Sequence, residues 1–132
     1  WGADTNNSNL KNNYKNVKIF DYISNTYRDS GLQFYGLIMA DHAKCAINTA
    51  FNTGTVVGVG ASVFGAGFPP TFVPDFSWGG SGGLGTHRLE SMFETAALVY
   101  ERRDQVFDET EKGILEEIFA RTSLYRDPSF IK

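Results

Sequence analysis

Written in sixes from Met39, residues 39–68 read MADHAK, CAINTA, FNTGTV, VGVGAS, VFGAGF. The first position is Met39, Cys45, Phe51, Val57 and Val63, and the fifth is Ala43, Thr49, Thr55, Ala61 and Gly67. In a chain that is 42% hydrophobic, five apolar first positions in a row arise by chance roughly once in a hundred trials. Glycines at 54, 58, 60, 65 and 67 exclude a helix here, since each would cost it about 1 kcal/mol. Strict alternation fails as well. A six-residue period is the pattern of a β-helix, in which each hexad supplies one strand and one corner of a triangular prism. The first residue points inward, and the second and fifth must be small at the crowded corners. Three hexads make a turn, so five hexads make fewer than two turns. Such a stack needs further coils or companion chains.

Outward from this stretch the composition changes. Residues 37–85 carry only three charged side chains, Asp41, Lys44 and Asp75. Residues 86–132 are rich in Glu, Arg and Leu. Leu89, Met92, Phe93, Ala96 and Tyr100 recur at steps of three and four, which predicts a helix over 87–103 with Thr86 as N-cap. A second helix is expected from Asp108, with Glu111 completing a capping box and a stripe of Ile114, Leu115, Ile118 and Phe119. From Asp127-Pro128 a frayed tail is expected. Upstream, residues 1–36 are rich in Asn, Tyr and Lys; 17–22 and 26–34 read as two strands of a projecting hairpin turning near Ser24-Asn25. The segment Phe68–Trp78 reads as an aromatic cap loop, either a plug over the prism end or a shelf for a ligand ring. The Gly79–Gly83 run reads as a flexible linker. The domains are therefore 1–85, a partial β-helix with hairpin and cap, and 86–132, a helical hairpin and tail.

Charge and composition exclude several classes. A net charge of −3 offers no basic face for nucleic acid. No apolar run approaches about 18 residues, so no spanning helix is expected. The first residues, Trp1-Gly2-Ala3-Asp4, lack a signal-peptide pattern, and without an initiator Met the chain reads as a cut fragment. The single cysteine, Cys45, excludes an internal disulfide and fits a reducing, cytoplasmic setting; its inward register makes it a buried thiol rather than a nucleophile. No ligand-spaced cluster suggests a metal. The Gly-rich stretches lack a following Gly-Lys-Ser/Thr, so neither is a P-loop.

Among candidate chemical groups, His42 is suited to take a proton from an attacking nucleophile near neutral pH, against the plainer reading of a solvated turn histidine. His87 opens the expected helix and reads as a cap-region residue. Corner amides, with Lys44 or Arg103 supplying charge, are candidates to meet a pyrophosphate.

The hexads resemble the left-handed β-helix of hexapeptide acyltransferases. Trp1-Gly2-Ala3-Asp4-Thr5 followed by Asn9 resembles the LGAGT…N segment of bacterial bifunctional sugar nucleotidyltransferases. Those enzymes join an N-acetylglucosamine-1-phosphate uridyltransferase domain to a glucosamine-1-phosphate acetyltransferase β-helix. Residues 5–19 (TNNSNLKNNYKNVKI) and 31–80, with NTGTVVG and GFPP…FSWGG, are similar to the C-terminal end of related sugar nucleotidyltransferases of Bacteroidetes type. The resemblance implies a homotrimer with acyl-CoA, acetyl-CoA above all, bound between coils of adjacent chains and a sugar phosphate as acceptor. It places the catalytic His in a coil preceding Trp1. Ala3 matches the position whose backbone meets the acetyl group, and Asn9 matches an Asn on the sugar and cofactor side. Asp4 stands where the family has its second Gly, and Leu10 where a Tyr follows the Asn. The implied function is acyl transfer from acyl-CoA to a sugar phosphate; the alternative is a non-catalytic β-helix that trimerises an upstream nucleotidyltransferase.

Overall fold

A computed structural model describes residues 2–9 and 11–130; Trp1 and Leu10, on which two of the expectations above fall, lie outside the described residues. Most strands come from the hexads and their continuation. They are β1 Asn6–Ser8, β2 Lys18–Asp21, β3 Thr26–Asp29, β4 Leu37–Met39, β5 Lys44–Cys45 and β6 Ala50–Asn52. Then follow β7 Thr55–Val57, β8 Ser62–Val63, β9 Phe72–Val73, β10 Ser77–Gly80 and β11 Gly83–Thr86. Two helices, α1 Leu89–Glu101 and α2 Glu109–Arg121, and a short 3-10 turn, Ser123–Arg126, complete the chain. The protein is a mixed α/β fold with much of its strand content in parallel sheets.

The chain visits its sheets in rotation. The orders are β4-β7-β9, β11-β10-β8-β5 and β1-β6, with a separate β2-β3 hairpin. Met39 lies opposite Val57 and Cys45 opposite Val63, each eighteen positions on, in parallel register. The next layer returns two residues sooner, with Val57 opposite Val73 and Val63 opposite Gly79. Phe51, Val57, Ala61, Val63 and Val73 form one buried cluster, and Met39, Cys45, Leu37, Ala43 and Leu84 pack against it. All five first-position side chains therefore share one core. The buried hydroxyls of Thr49 and Thr55 donate to the carbonyls of Ala46 and Asn52 three residues earlier, which satisfies them across the turns that precede β6 and β7.

The corners have a common device. His42, Asn48, Gly54 and Gly60 are the fourth residues of four successive hexads, and all have left-handed backbones, φ 61°, 62°, 76° and 66°. Only Gly enters that region freely; Asn, Asp and His tolerate it better than other side chains. The turn at each corner is thus written in the fourth position, and the His42 and Asn48 side chains are compatible with it.

Several expectations are corrected. Phe68–Trp78 is not a cap loop, because it supplies β9 and the start of β10, which continue two of the parallel sheets. Gly79–Gly83 is not a linker but the tip of an antiparallel β10-β11 hairpin, Ser77 opposite Thr86 and Gly80 opposite Gly83. Thr86 consequently ends a strand, and the N-cap of α1 is Arg88, without a side-chain cap. Asp108 does cap α2, accepting from the Glu111 N–H at 3.0 Å.

The expected first helical stripe is inside. Met92 and Ala96 join Phe76, Phe107 and Leu115 in a second cluster, with Leu89, Phe93, Tyr100, Ile118 and Phe119 against it. Ile114, expected in the second stripe, is half exposed. Because Phe76 belongs to the strand region, the helices and the strands share this core.

The 2–3 hairpin does not project. Phe20 stacks on Phe72, centroids 3.7 Å apart, within a cluster that includes Val56 and Tyr125. The Tyr22 hydroxyl donates to buried Asp75 Oδ2 at 2.8 Å, and Asp75 Oδ1 accepts from the Val59 N–H. The expected frayed tail is tied down as far as Phe130, whose ring packs on Phe20 and Tyr125. Arg126 donates to the Phe119 and Asp75 carbonyls and lies over the Phe119 ring.

Candidate functional site

The docked hairpin creates a cavity of about 630 Å³ where its first strand meets the β1-β6 sheet. Lys11, Lys15 and Lys18 line it together with Asn9, Tyr27, Asn52 and Thr71, and no described lining residue is acidic. The three lysines, all exposed, lie around this open concavity with amides and hydroxyls between them, which makes it a candidate anion site; Asp29 stands across the hairpin from Lys18. Asn9 is held by its own turn, its Oδ1 accepting from the Asn12 N–H at 3.1 Å.

Of the residues singled out in the sequence, Asn9 alone lines this cavity. Ala3 is exposed in a turn, and its carbonyl accepts from the Asn48 N–H. Asp4 beside it has φ 54°, in the left-handed region. Lys44 is on β5, opposite Ser62; partial desolvation holds its ammonium below the usual lysine range. Arg103 is exposed in the turn after α1, its N–H donating to the Tyr100 carbonyl. Neither cation lines the lysine cavity.

His42 lies at its corner under the helices. Its ring is near-parallel to Tyr100 at 6.0 Å and edge-on to Phe107 at 6.4 Å. The Tyr100 hydroxyl reaches Glu111 Oε2 at 3.5 Å. Burial, then the Lys44 charge, lowers the imidazole pKa, with Asp41 and Glu111 opposing. His42 is therefore a neutral ring at pH 7, able in principle to accept a proton, but its surroundings are aromatic packing and it does not line either cavity. His87 lies in the cap region of α1, immediately before the N-cap Arg88, and its Nδ1 is 3.1 Å from the Gly60 carbonyl oxygen. Cys45 is half buried, and its Sγ accepts from the Gly2 N–H at 3.1 Å. A Cβ at Gly2 would lie 2.3 Å from the Ala46 carbonyl oxygen, so the glycine permits that close approach.

Sequence reasoning overlooked the three lysines. The signal was present: KNNYKNVK, residues 11–18, holds three cations and no acid. Nothing local says which wall the segment will face. Among the described residues, no group of three or more His, Cys, Asp or Glu is placed to hold a metal ion, and no helix is long and apolar enough to cross a membrane. Comparison with protein-family models, with curated proteins and with solved structures finds no match.

Proposed function

We propose that this chain is the C-terminal part of a left-handed β-helix of the hexapeptide acyltransferase type, acting as a cytoplasmic homotrimer that moves an acyl group from acyl-CoA to a sugar phosphate. The observation that carries the reading is the register. Eighteen residues separate Met39 from Val57 and Cys45 from Val63, which is three hexads per turn, and the five first positions pack into one core. The lysine-lined cavity supports a phosphate-bearing ligand, since lysines around a concavity offer a nucleoside diphosphate or sugar phosphate counter-charge. Asn9, the position matched by resemblance, is on its wall.

One observation favours the second reading, a β-helix that only trimerises an attached nucleotidyltransferase. His42, the candidate base, packs against Tyr100 and Phe107 and does not line the lysine cavity. Calorimetric titration of acetyl-CoA into the whole protein separates the readings. Micromolar binding, weakened at least about tenfold, roughly 1.4 kcal/mol, by Lys11, Lys15 and Lys18→Ala together, is the result expected for the transferase. Silence at millimolar ligand, with a trimer persisting in sedimentation, would leave the trimerising role.

A further inference from the structure

A second cavity is built from a different part of the chain. On the four-stranded sheet, Trp78 stands opposite Ser62 and opposite Gly85, which has no side chain. Successive residues of a strand face opposite sides, so Phe64, two after Ser62, rises on the same side as Trp78. The two rings meet edge-on, centroids 5.1 Å apart. His87 leans on the indole at 4.8 Å, with its Nδ1 3.1 Å from the Gly60 carbonyl oxygen. Trp78 is held in place yet remains 48% exposed, and Phe64 40%. The two rings, Gly65, Ala66 and the Gly79–Gly83 tip border an open concavity of about 500 Å³, and none of its described lining residues is charged.

Three features specify what would enter. Gly80 needs its missing side chain, because a Cβ there would lie 2.2 Å from the Phe64 carbonyl oxygen. Gly82 does not: nothing lies within 4 Å of a Cβ built on it, and it does not use the left-handed backbone region. Its bareness serves neither packing nor conformation, and it leaves the cavity wall clear. Secondly, an uncharged lining gives a phosphate or carboxylate no counter-charge, so the recognised part of the ligand is neutral. Thirdly, the Ser81 hydroxyl is already donated to the Ala66 carbonyl. Few directed polar partners then remain for the many hydroxyls of a sugar ring, whereas an indole face gains most from another flat ring.

We infer that Trp78 and Phe64 form a stacking site for a neutral, planar heteroaromatic ring of the nucleobase kind, entering over Gly82. The inference is independent of the proposed function, since this cavity shares no lining residue with the lysine cavity. Amide NMR of the whole chain titrated with adenosine tests it, with the Trp78 indole N–H assigned through Trp78→Phe. The expected result is a saturable shift of that signal and of the Gly82 and Gly83 amides. Binding should weaken at least about tenfold in Gly82→Leu, which fills the wall, and in Phe64→Ser, which removes the second ring. The idea fails if adenosine gives no saturable shift up to its solubility. It fails equally if folded Phe64→Ser binds as the parent does, or if methyl glucoside saturates these signals and adenosine does not.

Discussion

At the corner between the first two layers, one residue carries two demands. His42 must adopt φ 61° and must also fill the space against Tyr100. Asn48, Gly54 and Gly60 meet the first demand at the equivalent places in the next three hexads, which accounts for the histidine without invoking catalysis. His42→Asn is expected to fold with stability within about 0.5 kcal/mol of the parent, whereas His42→Ala should lose about 1 kcal/mol, since a left-handed backbone costs an ordinary residue about 1–2 kcal/mol. Denaturant titration checks both. The sign of the pH effect follows from the lowered imidazole pKa. The unfolded chain takes up a proton near pH 6.5 and the folded chain only below that. Stability is therefore full above about 6.5 and falls as the pH drops from there to the folded pKa. His42→Asn should flatten that acid slope. An unchanged slope would mean that another group carries it.

Among the elements, the β2-β3 hairpin decides the shape of the lysine cavity, and Tyr22 is its rivet. Burial, then the Asp75 carboxylate, drives the Tyr22 hydroxyl well above its usual pKa, so it stays a donor at any working pH. Tyr22→Phe leaves buried Asp75 Oδ2 without that donor, and the expected loss is about 1–3 kcal/mol. Hydrogen exchange should show faster opening of residues 18–29 with β7 and β8 little affected; uniform loss of protection would refute a local rivet. The hairpin strands were legible from the aromatic and β-branched runs around Ser24-Asn25, but their docking was not. Phe20 finds Phe72 from fifty-two positions away, and no local pattern encodes that. The strands β9 and β10 were missed for a related reason. Pro69, Pro70 and Pro74 break the hexads and the layer returns after sixteen residues, so the period ended while the stacking continued. Gly79 and Gly80 imitated a linker, although Gly80 is there because the Phe64 carbonyl crowds it.

For the whole molecule, the six-residue pattern fixed what lies inside, since first positions must fill the space between parallel strands wherever the sheets end up. It carried less about the site, because a cavity is made by segments that meet only after folding. Lys11, Lys15 and Lys18 come from one end of the chain, Asn52 and Thr53 from the hexads, and Thr71 from beyond them. In a chain of net charge −3, the three lysines around one concavity offer an anion a place that exists only in the folded form. At a hundred times its dissociation constant such a ligand adds about 2.7 kcal/mol, which for a chain of this size raises the melting temperature on the order of 10 °C. Inorganic pyrophosphate should therefore raise the melting temperature in scanning calorimetry. The rise should shrink in 0.5 M sodium chloride, where screening shortens the reach of the charges to only a few ångströms. Lys11, Lys15 and Lys18→Ser together should respond little to pyrophosphate. If the triple variant kept the full pyrophosphate shift, the lysines would be ordinary surface charges and the anion would sit elsewhere.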